Sequence, residues 1–194
     1  MTSRSLRAIR TAAIAVPAVL VLAACSGGGA APTTSPSARA GVVGERVDQP
    51  CAELVPASTF AVYGQSFSLD RSARPAKGST AAQVAAQRGR VCTWRADDGQ
   101  TITVAVAHLP ATTRTALKDT LFEQGGSVPT YTVEGYFALR DGTGRADAFP
   151  DPYWITTTST LFTEPGTAQP VVDAVRHAVA PGASAPAPSA AATP

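Results

Sequence analysis

Histidine is nearly missing from this 194-residue chain, and cysteine is scarce: there are two of the first and three of the second. With only His108 and His177, and no Cys-x-x-Cys pair, the sequence lacks the ligand spacing of a metal site, and no motif in it implies a cofactor. Long apolar runs are also lacking. The longest, Thr11 to Leu22, covers roughly a dozen residues against the ~20 that a membrane-crossing helix needs. No basic stripe with interleaved aromatics is present, which argues against nucleic acid as a partner. A nucleophile elbow is missing too, because "GQSFS" at Gly64 to Ser68 has no closing glycine.

What the chain does have begins at its N-terminus. Arg4, Arg7 and Arg10 precede the short apolar run, the pattern of an exported leader. Leu22-Ala23-Ala24-Cys25 follows it and resembles the lipobox of bacterial lipoproteins. That likeness implies cleavage before Cys25 and lipidation of that cysteine, hence an anchor in the cell membrane with the rest of the chain on its extracytoplasmic face. Several acyl chains make such an anchor durable, since each buried methylene contributes ~0.8 kcal/mol. Without the three leader arginines, the 16 basic residues fall to 13 against 14 acidic ones, so the mature chain is close to neutral.

The remaining cysteines, Cys51 and Cys92, form an even pair in an exported chain and are expected to be joined by a disulfide. Composition divides the sequence into a leader at 1–24, a lipidated cysteine and Gly/Ala/Ser/Thr/Pro-rich linker at 25–47, one domain at 48–180, and an Ala/Pro-rich tail at 181–194. Within the domain, Cys51 to Leu54 and Ala57 to Tyr63 read as helical turns, the second stopped by Gly64. The segment "QSFSLDRSARPAKG" reads as surface loop. A helix capped by Ser79 or Thr80 runs through Gln87 to a stop at Gly89.

"RVCTWRADDGQTITVAVAH" is the clearest local unit, a hairpin with strict alternation. A two-residue turn would oppose Trp94 to Thr103 and send the apolar sets to opposite sides. A three-residue loop, Asp97-Asp98-Gly99 with Gly99 left-handed, instead sets Trp94 against Ile102 and Cys92 against Val104. A Thr-capped amphipathic helix follows Pro110, with Leu117 and Leu121 inward and Gly125 as its stop. Extended pieces are expected at Tyr131 to Leu139, Arg145 to Phe149 and Tyr153 to Phe162, with Asp141-Gly142 as a turn. Val171, Val175 and Val179 then mark a last helix. The expected class is α+β: a mainly antiparallel sheet with helices packed on one face, carrying one disulfide.

The succession "DQPCAELVPASTFAVYG", "VCTWRADDG", a strand and helix, then "VEGYFALRDG" with a closing strand and helix resembles an actinobacterial lipoprotein family of unknown function, catalogued as DUF3558. Its members likewise carry a lipobox, a cysteine opening the domain and a second one just before a tryptophan. This chain departs from the family's Gly-Asp-x-Ala-like run at "VEGYFALRDG". The resemblance implies an extracytoplasmic α+β domain, transfers no catalytic residue, and points to recognition rather than chemistry.

Individual side chains give weaker leads. His108 falls in phase with Ile102, Val104 and Val106 at a strand end, and His177 sits near a helix C-terminus where positive charge is favoured. Asp141, Asp147 and Asp151 read as solvated turn carboxylates, too irregularly spaced for calcium. The aromatics lead further: Tyr136 has the opposite strand phase from Phe137, and Tyr153-Trp154 must place one ring on each side of a strand. Tyr136, Tyr153 and Trp154 are therefore the expected ligand-binding residues of a lipid-anchored envelope module that binds a small molecule or protein partner. The competing expectation, a cell-wall-directed hydrolase, requires a pocket in which His108 meets a carboxylate or hydroxyl.

Overall fold

The computed structural model describes residues 43–182. The leader, Cys25, most of the linker and nearly all of the tail lie outside the described residues. The elements run α1 (Cys51–Leu54), a 3₁₀ helix (Ala57–Tyr63), β1 (Phe67–Leu69), α2 (Thr80–Ala86), β2 (Arg90–Ala96), β3 (Thr101–His108), α3 (Ala111–Glu123), β4 (Ser127–Val128), β5 (Gly135–Arg140), β6 (Thr143–Ala148), β7 (Tyr153–Ser159) and α4 (Pro165–Val179). The strands form one antiparallel sheet in the order β1-β2-β3-β7-β6-β5-β4.

The β2–β3 hairpin has the expected register, with Trp94 opposite Ile102 and Cys92 opposite Val104. Ala96 donates its N–H to the Gln100 carbonyl across the Asp97-Asp98-Gly99 loop, and Gly99 has φ +88°. On this face Cys92, Trp94, Ile102, Val104, Val106, Ala146, Ala148 and Ile155 pack against α1, the 3₁₀ helix and α4. Cys51 and Cys92 are bonded, Cα to Cα 5.7 Å, which ties α1 to the middle of β2. The four-residue spacing of Val171, Val175 and Val179 does face this core, joined by Ala168 and Val172.

The α+β class, the antiparallel sheet and the disulfide stand, but the helices are not confined to one face. Val84 of α2 and Leu121 of α3 pack with Ala105, Ala107, Tyr136, Phe149 and Trp154 on the opposite side. The reason is in the strands: β3 is apolar at consecutive positions, Val104 to Ala107, so both of its faces need cover.

Smaller departures follow from tertiary contacts. Phe67 to Leu69, expected in loop, forms β1 because Phe67 stacks near Phe60 and its strand pairs with β2. The helix α2 is capped by Ser79 as expected, through Oγ to the Ala82 N–H at 3.1 Å, yet its chain reverses at Arg88, φ +62°, rather than at Gly89. A β-carbon on Gly89 would strike the Val106 carbonyl, so glycine is needed there for close approach. The cap of α3 is Pro110 with no side-chain hydrogen bond, not a threonine. The strand expected from Tyr131 starts at Gly135, because Tyr131 turns into the first core and donates its hydroxyl to the Pro165 carbonyl at 3.2 Å.

Candidate functional site

Between α2 and α3 the second face of the sheet is polar. Thr93, Thr103, Thr158 and Arg145 are successive cross-strand neighbours on β2, β3, β7 and β6. The segment Arg74 to Ala81 forms a wall over the threonines, enclosing an open cavity of about 420 Å³. A second cavity of about 400 Å³ is lined by Arg145 itself, with Gln124, Ala138, Arg140 and Thr143. It adjoins a smaller one that reaches Tyr136 and Asp147.

Asp147 organises this floor. It is buried, and its two oxygens accept hydrogen bonds from the Trp154 indole Nε1–H at 2.9 Å and the Arg145 Nε–H at 2.7 Å. Burial pushes its carboxyl above the usual carboxylate range, while the Arg145 charge and these hydrogen bonds work against that rise. The effect on Arg145 is orientation: Nε is committed to Asp147 and Nη1 reaches Thr80 Oγ1 at 3.4 Å, so the guanidinium is held on the wall of the second cavity, hydrogen-bonded to a threonine that lines the first. Arg140 stands at the far side of the second cavity, exposed and with no hydrogen bond or ion pair among the described residues. A fixed cation, a free cation and a row of hydroxyls suit a polar ligand carrying negative charge.

The wall segment is pinned by Asp70, which accepts from the Ser72 hydroxyl at 2.6 Å, the Ser72 and Ala73 N–H groups at 3.0 and 3.1 Å, and Arg95 at 3.1 Å. The Ser72 hydroxyl first, then Arg95, hold its carboxyl down to about 2. A depressed carboxylate stabilises the fold above its ordinary range, and that contribution fades as the pH falls from about 4 towards about 2. A carbon-13 titration of the Asp70 carboxyl is expected to give a midpoint near 2, moving up in Arg95→Gln. An ordinary midpoint in the unaltered chain would contradict this arrangement.

The sequence-expected residues fall in different places. Tyr136 and Trp154, expected to offer an exposed aromatic face, are buried at 3% and 4% exposure. The strand phase is as expected, but α3 covers that face: Tyr136 packs on Phe149 and donates to Glu134 Oε1 at 2.6 Å, and Glu134 is itself paired with Lys118 of α3. Both rings adjoin Asp147, and Tyr136 also lines the smaller cavity. Tyr153 is half-buried on the other face, edge-on to His108. Asp147, read as a solvated turn acid, is the buried centre of the site, because β6 extends through it and Trp154 lies across it. Sequence reasoning passed over Arg145 and Arg140. The usable signal was phase: Arg145 and Asp147 alternate with Ala146 and Ala148, which enter the first core.

His108 sits on the disulfide face, away from this groove, with Glu45 Oε2 3.6 Å from its Nε2 and Glu45 largely exposed. His177 meets Arg176 near the end of α4. Neither histidine lines the cavities around Arg145. No protein-family model, curated protein or solved structure matches this chain.

Proposed function

We propose that this protein is a lipid-anchored binding module on the extracytoplasmic face of a cell membrane, akin to the lipoproteins its sequence resembles, and that its ligand is a small anionic or polyhydroxylated molecule. The observation that carries the reading is Arg145, held by buried Asp147 on the wall of an open cavity that also takes in Arg140, a cation with no hydrogen bond or ion pair among the described residues. Cavities of a few hundred Å³ with few oriented polar groups are the usual form of small-molecule sites. The lipobox ending at Cys25 supports the address, and the Cys51–Cys92 disulfide suits an oxidising compartment.

Native mass spectrometry of the oxidised full-length chain, recovered from an envelope-producing host, tests the reading. A copurifying adduct on the order of a few hundred daltons is expected, and Arg140→Ala should remove most of it without altering the fold, since Arg140 makes no hydrogen bond or ion pair among the described residues. A bare mass for the unaltered chain, or an adduct indifferent to Arg140, would overturn it.

A further inference from the structure

A second group of arginines converges on the other side of the sheet, where the N-terminal segment enters the domain. Arg46, Arg88 and Arg90 line, with Val47 and Gly89, an open cavity of about 260 Å³. They come from three places: the entry segment, the turn after α2, and the first residue of β2. Backbone hydrogen bonds hold these pieces together, the Val47 N–H donating to the Arg88 carbonyl at 3.3 Å and the Glu45 N–H to the His108 carbonyl at 3.1 Å.

The three guanidinium groups are under-compensated. Arg46 Nε bonds Asp48 at 2.7 Å, but both side chains are mostly exposed, and such a pair exchanges readily for a better acceptor. Arg90 donates Nη2 to the Asp48 carbonyl at 3.1 Å, while its Nε is buried and makes no hydrogen bond among the described residues. Arg88 has an exposed side chain with no partner among the described residues. Its backbone is left-handed at φ +62°, a conformation that glycine adopts at less cost. A long cation therefore occupies a strained turn position on the wall of the cavity that Arg90 also lines, and strain of this kind clusters at ligand sites.

We infer that Arg46, Arg88 and Arg90 form a binding site for a phosphate group. Guanidinium forks bind phosphate oxygens in pairs, and three arginines brought to one cavity from separate chain segments suit a tetrahedral anion with three or four oxygens better than a planar carboxylate. The site lies apart from the Arg145 groove and does not depend on it, since Arg90 pairs with Val106 on the disulfide face.

Calorimetric titration of the oxidised full-length chain in phosphate-free buffer tests this, with inorganic phosphate and glycerophosphoglycerol as separate probes. Saturable one-site binding in the millimolar range or tighter is expected for at least one. Binding of inorganic phosphate alone identifies a free-phosphate or monoester site. Binding of the diester identifies a lipid-headgroup or polymer phosphodiester. Arg88→Gly is expected to weaken binding by about 10-fold while raising the thermal midpoint, because it removes a charge-assisted contact and relieves the left-handed turn. Arg46→Gln should weaken binding with the midpoint unchanged, and Arg140→Ala should alter neither. No saturable heat with either probe up to about 20 mM, or binding unaffected by both Arg88→Gly and Arg46→Gln, would overturn the site.

Discussion

Replacing Cys51 and Cys92 together by alanine is expected to lower the unfolding free energy by about 4 kcal/mol, the largest loss available from one cross-link in this domain. The bond spans 41 residues, and in the chain-entropy description opening a loop of that size frees the unfolded chain by about that amount. Against the roughly 5–15 kcal/mol of a typical domain the loss is large, but it leaves the sheet itself paired. Leu54, Val55 and Phe60, fully buried beside the bond, still hold α1 and the 3₁₀ helix on the sheet. Alanine is the right replacement because Cys92 is buried, and a serine hydroxyl there would add its own desolvation cost. Urea unfolding of the oxidised chain, the reduced chain and the double variant checks this. The latter two should agree with each other and lie well below the first, and equal midpoints for all three would show that the cross-link contributes nothing.

The second large effect is expected at Asp147. Truncation to alanine strips the acceptor from the Trp154 indole N–H and the counter-charge from Arg145 together. Removing one member of a buried pair costs about 3–5 kcal/mol, and the partial exposure of Arg145 puts this case near about 3. Asp147→Asn keeps an acceptor for Trp154 and should cost about 1 kcal/mol. The pH dependence carries a sign opposite to that of Asp70. Burial raises the Asp147 carboxyl, so the folded state holds its proton longer than the unfolded chain, and the stability of the parent relative to Asp147→Asn should fall as the pH rises through the carboxylate range. Denaturation followed by tryptophan fluorescence at pH 4 and pH 7 measures both effects, and an Asp147→Ala variant as stable as Asp147→Asn would remove the pair from its organising role.

Asp147 also shows where reading by sequence stops. Alternation identifies which residues of a strand share a face, and on that basis Tyr136 and Phe137 fall on opposite faces, as they do in the structure. It does not say whether a face meets water. That was decided by α3, which packs Leu121 on Tyr136 and Trp154. An acid close to two turn signals therefore read as solvated, although it lies in the middle of a covered sheet. Arg145 was likewise unremarkable until its neighbours on β7 and α2 were known.

By itself the sequence determined what short-range chemistry determines. The hairpin register followed from period-two alternation and a left-handed Gly99, the disulfide from an even cysteine pair, the helical turns from Pro56, Ser79 and Gly64, and the class from strands interspersed with helices. The tertiary structure alone decided that β3 pairs with β7, which brings Thr158 beside Thr103 with Arg145 on the next strand, and that Arg46 shares a cavity with Arg88 and Arg90. Those juxtapositions join residues about 40 or more positions apart. Closing a long loop costs nearly the same entropy for many alternative partners, so the choice among them falls to burial of complementary faces, a property of the assembled sheet and helices rather than of any one segment.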